Sequence, residues 1–245
     1  MSAAVLLEAE RMDVRVGVRV LLRHLSLAVR RGQRWALLGR NGAGKSTLLR
    51  QLAGLGGDPL PVRLGGVALS TMSPAQLAQQ RAYLPSQPRD RFGIAVLDAV
   101  MLAQHRPEER AALDCLERVD AAHLVHRHVL QLSAGERQRV ALAQVLAQRT
   151  PLLLLDEPVT FQDPAHQGLV ARLLGSLPEQ GVVFAAHDIN WVAHVATHVL
   201  GLVPGGQWIA GPVELVLHAQ TLQRLYGCDW QRVARPDGPD LWLPA

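Results

Sequence analysis

Apolar positions along this chain change period as the sequence is read. Residues 6–9, 14–20 and 25–29 alternate or cluster apolar side chains as strands do, and Gly17 and Arg31-Gly32 supply turns. The short apolar run 35–38 is followed by a glycine-rich stretch and then by residues 46–55, with apolar side chains at 48, 49, 52 and 53, the spacing of a helix. Residues 62–69 read as a hairpin turned at Gly65-Gly66. Residues 73–80 form a short helix, with Ser73 as its cap and Pro74 at its first position. From 96 to 148 the pattern is helical, clearest over 108–118 and 133–149. Strand 152–155, helix 164–174, strand 182–186, helix 189–196 and strand 199–203 then alternate, and Pro204-Gly205-Gly206 turns the chain back through 207–210 to a last helix over 213–225. This alternation predicts an α/β fold. Its sheet is mixed but mostly parallel and flanked by helices, it has an antiparallel β part at the N-terminus, and it binds its ligand at the carboxyl ends of the strands. The helical stretch, about 88–150, is expected to be a subdomain inserted into one domain spanning residues 1–245.

Composition narrows the class. A 245-residue chain with 49% apolar and 19% charged residues suits one globular domain with a subdomain and carries no disorder signature. Its apolar stretches, such as 152–155 and 199–203, fall far short of the roughly 20 residues that a membrane span needs. Glu8 and Glu10 precede any long apolar core, so residues 1–10 do not read as a signal peptide, and a cytoplasmic location is expected. Cys115 and Cys228 lack metal-ligand spacing and read as ordinary thiols. The net charge of +4 is modest and the arginines are scattered, so nucleic acid is not the expected partner.

Lys45 is the only lysine; all other basic residues among the 25 Lys+Arg are arginine. It lies in Gly39-Arg40-Asn41-Gly42-Ala43-Gly44-Lys45-Ser46-Thr47, which fits the phosphate-binding pattern G-x-x-x-x-G-K-[ST]. Glycines there let successive backbone N–H groups close around a polyphosphate while the following helix points its positive end at it. The lysine carries a compact charge to the terminal phosphates, and the Ser46 hydroxyl is a ligand for Mg²⁺. A chance glycine-rich turn would not require a strand before it and a helix after it. Both are expected here, which makes the core that of a P-loop NTPase.

Residues 151–158 read as a buried strand ending in Asp156 and Glu157. A desolvated carboxylate needs compensation, which Mg²⁺ beside Asp156 would supply. Glu157, one residue on, is then placed to polarise an attacking water as general base. A lone Asp-Glu pair is usually just an exposed strand end; paired with Lys45 and Ser46, the functional reading dominates. Ser133 and Glu136 have the spacing of a capping box at the start of the 133–149 helix, and Gly135 leaves that helix end open to a phosphate.

In its combination with the phosphate loop, Leu132-Ser133-Ala134-Gly135-Glu136 resembles the signature motif of ATP-binding cassette ATPases, and the resemblance covers nearly the whole chain. It implies bound ATP and Mg²⁺, with Ser133, Gly135 and Glu136 facing the nucleotide held by a second copy. Gln87 matches the glutamine that in the family touches the metal and joins the helical subdomain to the core. Asp163 matches the loop that crosses the dimer, and His187 the histidine that reads the γ-phosphate. Ala134 stands in place of a glycine and Glu136 at the usual glutamine position. Thr160-Phe161-Gln162 departs from the common Ser-Ala-Leu, and Val16 falls where many relatives stack an aromatic on adenine.

With no span of its own, such a chain is expected to pair with itself beneath separate membrane permease subunits, on the cytoplasmic face of the inner membrane, served by a substrate-binding protein. Residues 208–212 and Leu225-Tyr226-Gly227 look like the tail of ATPases serving cobalamin, haem and iron-siderophore importers, with cobalamin the leading choice. The alternative is a soluble cassette ATPase of translation or DNA repair, although these usually carry two cassettes or a long coiled coil. A GTPase switch would need a second lysine. His123, His126 and His128 fit no standard metal-ligand spacing and read as a solvated helix end.

Overall fold

The computed structural model describes residues 4–56, 60–88 and 93–245. Two strands of twelve residues, β1 (Val5–Val16) and β2 (Arg19–Arg30), run antiparallel about the turn at Gly17. The pattern along the sequence had shown three shorter runs. Backbone irregularities account for the difference: Arg11 and His24 take left-handed φ values of 46° and 51°, and the register shifts between Ala9 and Met12. Each shift resets which side chains face inward, so an unbroken strand looks interrupted in sequence. β3 (Arg34–Leu38) belongs to the other sheet, whereas β4 (Val62–Leu64) pairs with β1 and β5 (Val67–Ala68) with β4, giving the order β2-β1-β4-β5. Gly65 and Gly66, at φ 54° and 83°, make the expected hairpin turn.

The second sheet adds β6 (Arg81–Leu84), β7 (Leu152–Asp156), β8 (Gly181–Ala185), β9 (His198–Val203) and β10 (Gln207–Pro212) in the order β10-β9-β3-β8-β7-β6. All neighbours are parallel except β10 with β9. Every residue of β7 and β8 is buried, as continuous apolar strands covered on both faces must be. Alternate residues of β7 serve opposite layers. Leu152 and Leu154 pack with Leu48, Leu49 and Leu52 of α1 (Lys45–Leu52) and with the N-terminal sheet. Leu153 and Leu155 pack with the helices of the other side. Each such leucine contributes about 1.5–3 kcal/mol on burial.

Those helices follow a short α2 (Pro74–Gln80), whose N-terminus has Ser73 as cap and Pro74 within it. Between β6 and β7 lie α3 (Val96–Leu102), α4 (Glu109–Arg118) and α5 (Ala134–Ala147); residues 89–92 of the expected insert lie outside the described residues. α6 (Pro164–Gly175) and α7 (Ile189–Val195) cover the same face, where Trp191 meets Phe184 edge to face at 5.3 Å. Trp35 and Trp191 are both buried in the core.

The last helix expected from sequence divides into α8 (Val213–Val216) and α9 (Ala219–Tyr226). His218 breaks it by taking an extended conformation and accepting the Thr221 N–H as the cap of α9. A terminal hairpin, β11 (Trp230–Val233) with β12 (Leu241–Pro244), had no clear alternation to announce it. It is held from outside: Trp242 is buried, and Asn190 of α7 bonds both its N–H (2.7 Å) and its carbonyl (3.2 Å).

Candidate functional site

β3 ends at Leu38, and the chain reaches α1 through Gly39 to Gly44 at the carboxyl edge of the parallel strands. Two of these glycines are required by the geometry. A Cβ on Gly39 (φ 147°) would lie 2.9 Å from the Leu202 carbonyl oxygen, and one on Gly44 (φ 106°) 2.7 Å from a Leu21 methyl. Gly44 caps α1 without offering any side-chain acceptor, and no acidic residue lies in the first turn. The helix start is thus left to an external anion.

Lys45 is only 6% exposed and folds back onto its loop, Nζ donating to the carbonyls of Gly39 (2.8 Å) and Arg40 (3.3 Å). Burial lowers its pKa, opposed by Glu157 and Asp156. The next side chain, Ser46, donates from Oγ to Asp156 Oδ1 at 3.0 Å. Asp156 is buried at the end of β7, and desolvation raises its pKa against the Ser46 hydrogen bond. A nearby phenol registers the same field: burial, with the Asp156 charge adding to it, pushes the Tyr83 pKa up to about 12. Ser46 Oγ and the Asp156 carboxylate are hard oxygen donors side by side, the ligand type suited to Mg²⁺.

Glu157 follows with a left-handed φ of 55°. Its N–H donates to the Ala185 carbonyl (3.2 Å), Thr160 Oγ1 donates to its Oε2 (3.0 Å), and its Oε1 lies 2.6 Å from His187 Nε2. Strained backbone of this kind persists where surrounding bonds over-determine it, and it collects at functional sites. An open cleft of about 490 Å³ brings Asn41, Gly42, Gly44, Lys45, Ser46 and Thr47 together with Val16, Glu157 and His187.

The other expected site residues lie elsewhere. Arg40 and Ala43 line a neighbouring groove with Arg19 and Arg23, and Gly39 contributes its carbonyl to Lys45. Gln87 is exposed, three residues past the end of β6, and does not line the cleft. Ser133, Gly135 and Glu136 open α5 as a complete capping box: Ser133 Oγ accepts the Glu136 N–H at 3.3 Å and Glu136 Oε2 accepts the Ser133 N–H at 2.8 Å. Nothing from α5 enters the cleft of its own chain. Asp163 caps α6 and holds His166 Nδ1 at 2.9 Å, while His166 Nε2 reaches Asp120 at 3.1 Å. His123, His126 and His128 are exposed.

Sequence reasoning gave no role to Gln138 and noted Gln162 only as a departure from the family pattern; both are among the few buried polar residues. A signal existed for the first: Gln138 precedes the buried Ala141 and Leu142 by three and four positions, so it sits on the inward face of α5.

An ABC transporter family model matches residues 22–160. The hemin import ATP-binding protein HmuV of Bordetella pertussis is 39% identical over 252 residues, covering 95% of this chain and 96% of that one. Its namesake from Deinococcus radiodurans is 40% identical and covers 86% of both chains. Among solved structures, a metal-chelate type ABC transporter in an inward-facing conformation overlays with a TM-score of 0.81, 25% identity and 98% coverage of each chain. A bacterial Atm1-family ABC exporter with ATP bound, 43% of which is covered, overlays at 0.78 with 21% identity; that likeness shows the fold alone. The chain belongs to the ABC transporter family. Within it the chain is the ATP-binding subunit, an ATPase whose hydrolysis is coupled to transport.

Proposed function

We propose that this chain powers haem uptake, as one of two identical ATPase subunits beneath separate membrane permease subunits. The observation that carries the catalytic part is the meeting of Lys45, Ser46, Glu157 and His187 around one cleft. The cargo rests on relatives that are 36–40% identical and all named for hemin import, which favours haem over the cobalamin first expected. Those names also favour an importer over a soluble cassette of translation or repair. A substrate-binding protein that delivers haem to the permease belongs to the proposal. So does a peripheral position on the cytoplasmic face of the inner membrane, since no helix among the described residues is long and apolar enough to cross a membrane.

In this reading the backbone of residues Gly39, Arg40, Asn41, Gly42, Ala43, Gly44 and Thr47 cradles the phosphates, and Lys45 exchanges its loop carbonyls for terminal phosphate oxygens. Ser46 and Asp156 would hold Mg²⁺, with Gln87 as a further oxygen donor to it. When bound, the ion neutralises charge on the phosphate oxygens. Glu157 takes the proton of the attacking water as general base, and His187 orients that carboxylate and reads the γ-phosphate. Ser133, Gly135 and Glu136 of the second copy close over the nucleotide from the far side, with Asp163 at the crossing. This explains why they lie outside their own chain's cleft.

Glu157→Gln tests the reading. ATP binding should persist while turnover falls about 10²-fold or more. Because hydrolysis no longer releases the pair, ATP should also produce dimers visible by light scattering. Turnover at the wild-type level would remove Glu157 from the role of base.

A further inference from the structure

The main chain of Glu157 is held from an unexpected direction. Gln138, on the inward face of α5 and only 1% exposed, donates from Nε2 to the Glu157 carbonyl at 3.2 Å. Its other amide atom, Oε1, is buried without a hydrogen-bond partner among the described residues. A buried amide with half its capacity unmet works against stability, where an apolar side chain of similar volume would not. What the residue does achieve is to fasten a carboxylate-bearing residue whose φ of 55° is unfavourable for any side chain with a Cβ.

A second attachment lies one turn toward the start of the same helix. Gln162, 8% exposed, donates from Nε2 to the Gly135 carbonyl at 2.9 Å, and its Oε1 accepts from Arg139 at 3.4 Å. The two surfaces meet so closely that a Cβ on Gly135 would sit 2.9 Å from the Phe161 carbonyl oxygen. The first turns of α5 and the loop from Glu157 to Gln162 are therefore one body, joined at both ends. These contacts form a direct path from Ser133 and Gly135 to the backbone that aims Glu157.

We propose that Gln138 is a positioning residue for hydrolysis: it ties the aim of the Glu157 carboxylate to the helix whose start closes on the other subunit's nucleotide. The inference rests on Glu157 being the general base. Gln138 acts only through that residue and touches no nucleotide. Its effect is confined to turnover and to communication between the two ATP sites.

The test is a double-mutant cycle on the full-length chain, with Gln138→Met keeping the side-chain volume and removing the donor. Turnover should fall roughly tenfold, a fraction of the general-base contribution. KM for ATP should stay within about twofold, and the Hill coefficient for ATP should move toward one. In the Glu157→Gln background, Gln138→Met should change turnover less than about twofold, because the group it aims is already gone. Gln144→Met is the control for a lost glutamine bond on α5, since Gln144 donates to the Ala99 carbonyl (3.1 Å) and not to Glu157; it should retain wild-type turnover. Loss in both backgrounds by the same factor, an equal loss in Gln144→Met, or unchanged turnover in Gln138→Met would each overturn the proposal. Should Gln138→Met not fold, Gln162→Met carries the same cycle through the second attachment. Wild-type turnover in Glu157→Gln alone would instead sink the general-base reading on which this one stands.

Discussion

Two helix starts in this molecule are assigned to phosphate, and they are built in opposite ways. α1 begins at Gly44, which offers its N–H groups no side-chain acceptor, and the only charge in its first turn is the buried cation Lys45. α5 begins at Ser133 with a complete capping box, and its first turn carries the anion Glu136, paired with Arg127 at 2.9 Å, and the cation Arg137. Hydrogen bonding from Ser133 also holds the Glu136 carboxyl below its ordinary pKa, so that charge persists. The first arrangement is incomplete until an anion arrives. The second has the N–H groups of Ser133 and Glu136 and its carboxylate already partnered within the chain. A helix start of the second kind gains little by capturing a free nucleotide; it gains when a nucleotide already fixed on another subunit is brought against it. The asymmetry fits the proposed division of the site between two chains.

Breaking the second half should be all or none. Ser133→Arg in the Glu157→Gln background is expected to abolish the ATP-driven dimer in light scattering while leaving nucleotide binding to the single subunit intact. Dimers that persist would mean that α5 does not face the nucleotide. Breaking the first half should do the reverse. Lys45→Ala removes a charged hydrogen bond worth about 1.5–3 kcal/mol, so nucleotide affinity measured by calorimetry on the monomer should fall about 10- to 100-fold.

The base end sharpens the contrast further. Val16 is 54% exposed beside the phosphate loop, where an aromatic would stack on a purine. Affinity must then come mainly from phosphate contacts, and GTP should be hydrolysed within roughly tenfold of ATP. Val16→Tyr should add about 1 kcal/mol, near fivefold, to nucleotide binding. A preference of several hundredfold for ATP in a competition assay would show that another residue reads the base.

The smallest effect separates local from tertiary roles of a capping box. Ser73 and Gln76 make the same box at α2 that Ser133 and Glu136 make at α5. Ser73→Ala and Ser133→Ala should each cost about 1 kcal/mol in denaturant unfolding. Only the second should weaken ATP-driven pairing; equal behaviour in both assays would reduce Ser133 to a cap.

Where a residue's chemistry was set by its neighbours in sequence, reading the chain was enough. The phosphate loop is nine consecutive positions between a strand and a helix, the β7 leucines announce a strand buried on both faces, and the Ser73 cap lies three residues from its partner. Short-range geometry of this kind depends only on φ/ψ preferences and side-chain reach. Other features depended on bonds between distant parts of the chain. Arg11 and His24 reset the register of β1 and β2, and the β11–β12 hairpin stands because Asn190 and the core receive Trp242. The site divides along the same line. That Lys45, Ser46, Asp156 and Glu157 carry charge and ligand chemistry was legible in the sequence. That the Ser46 hydroxyl meets Asp156 at 3.0 Å, that His187 meets Glu157 at 2.6 Å, and that Gln138 holds the Glu157 carbonyl at 3.2 Å was decided by the packing of β7, β8 and α5, because separations of 110, 30 and 19 residues are closed only when the whole sheet and its covering helices are in place.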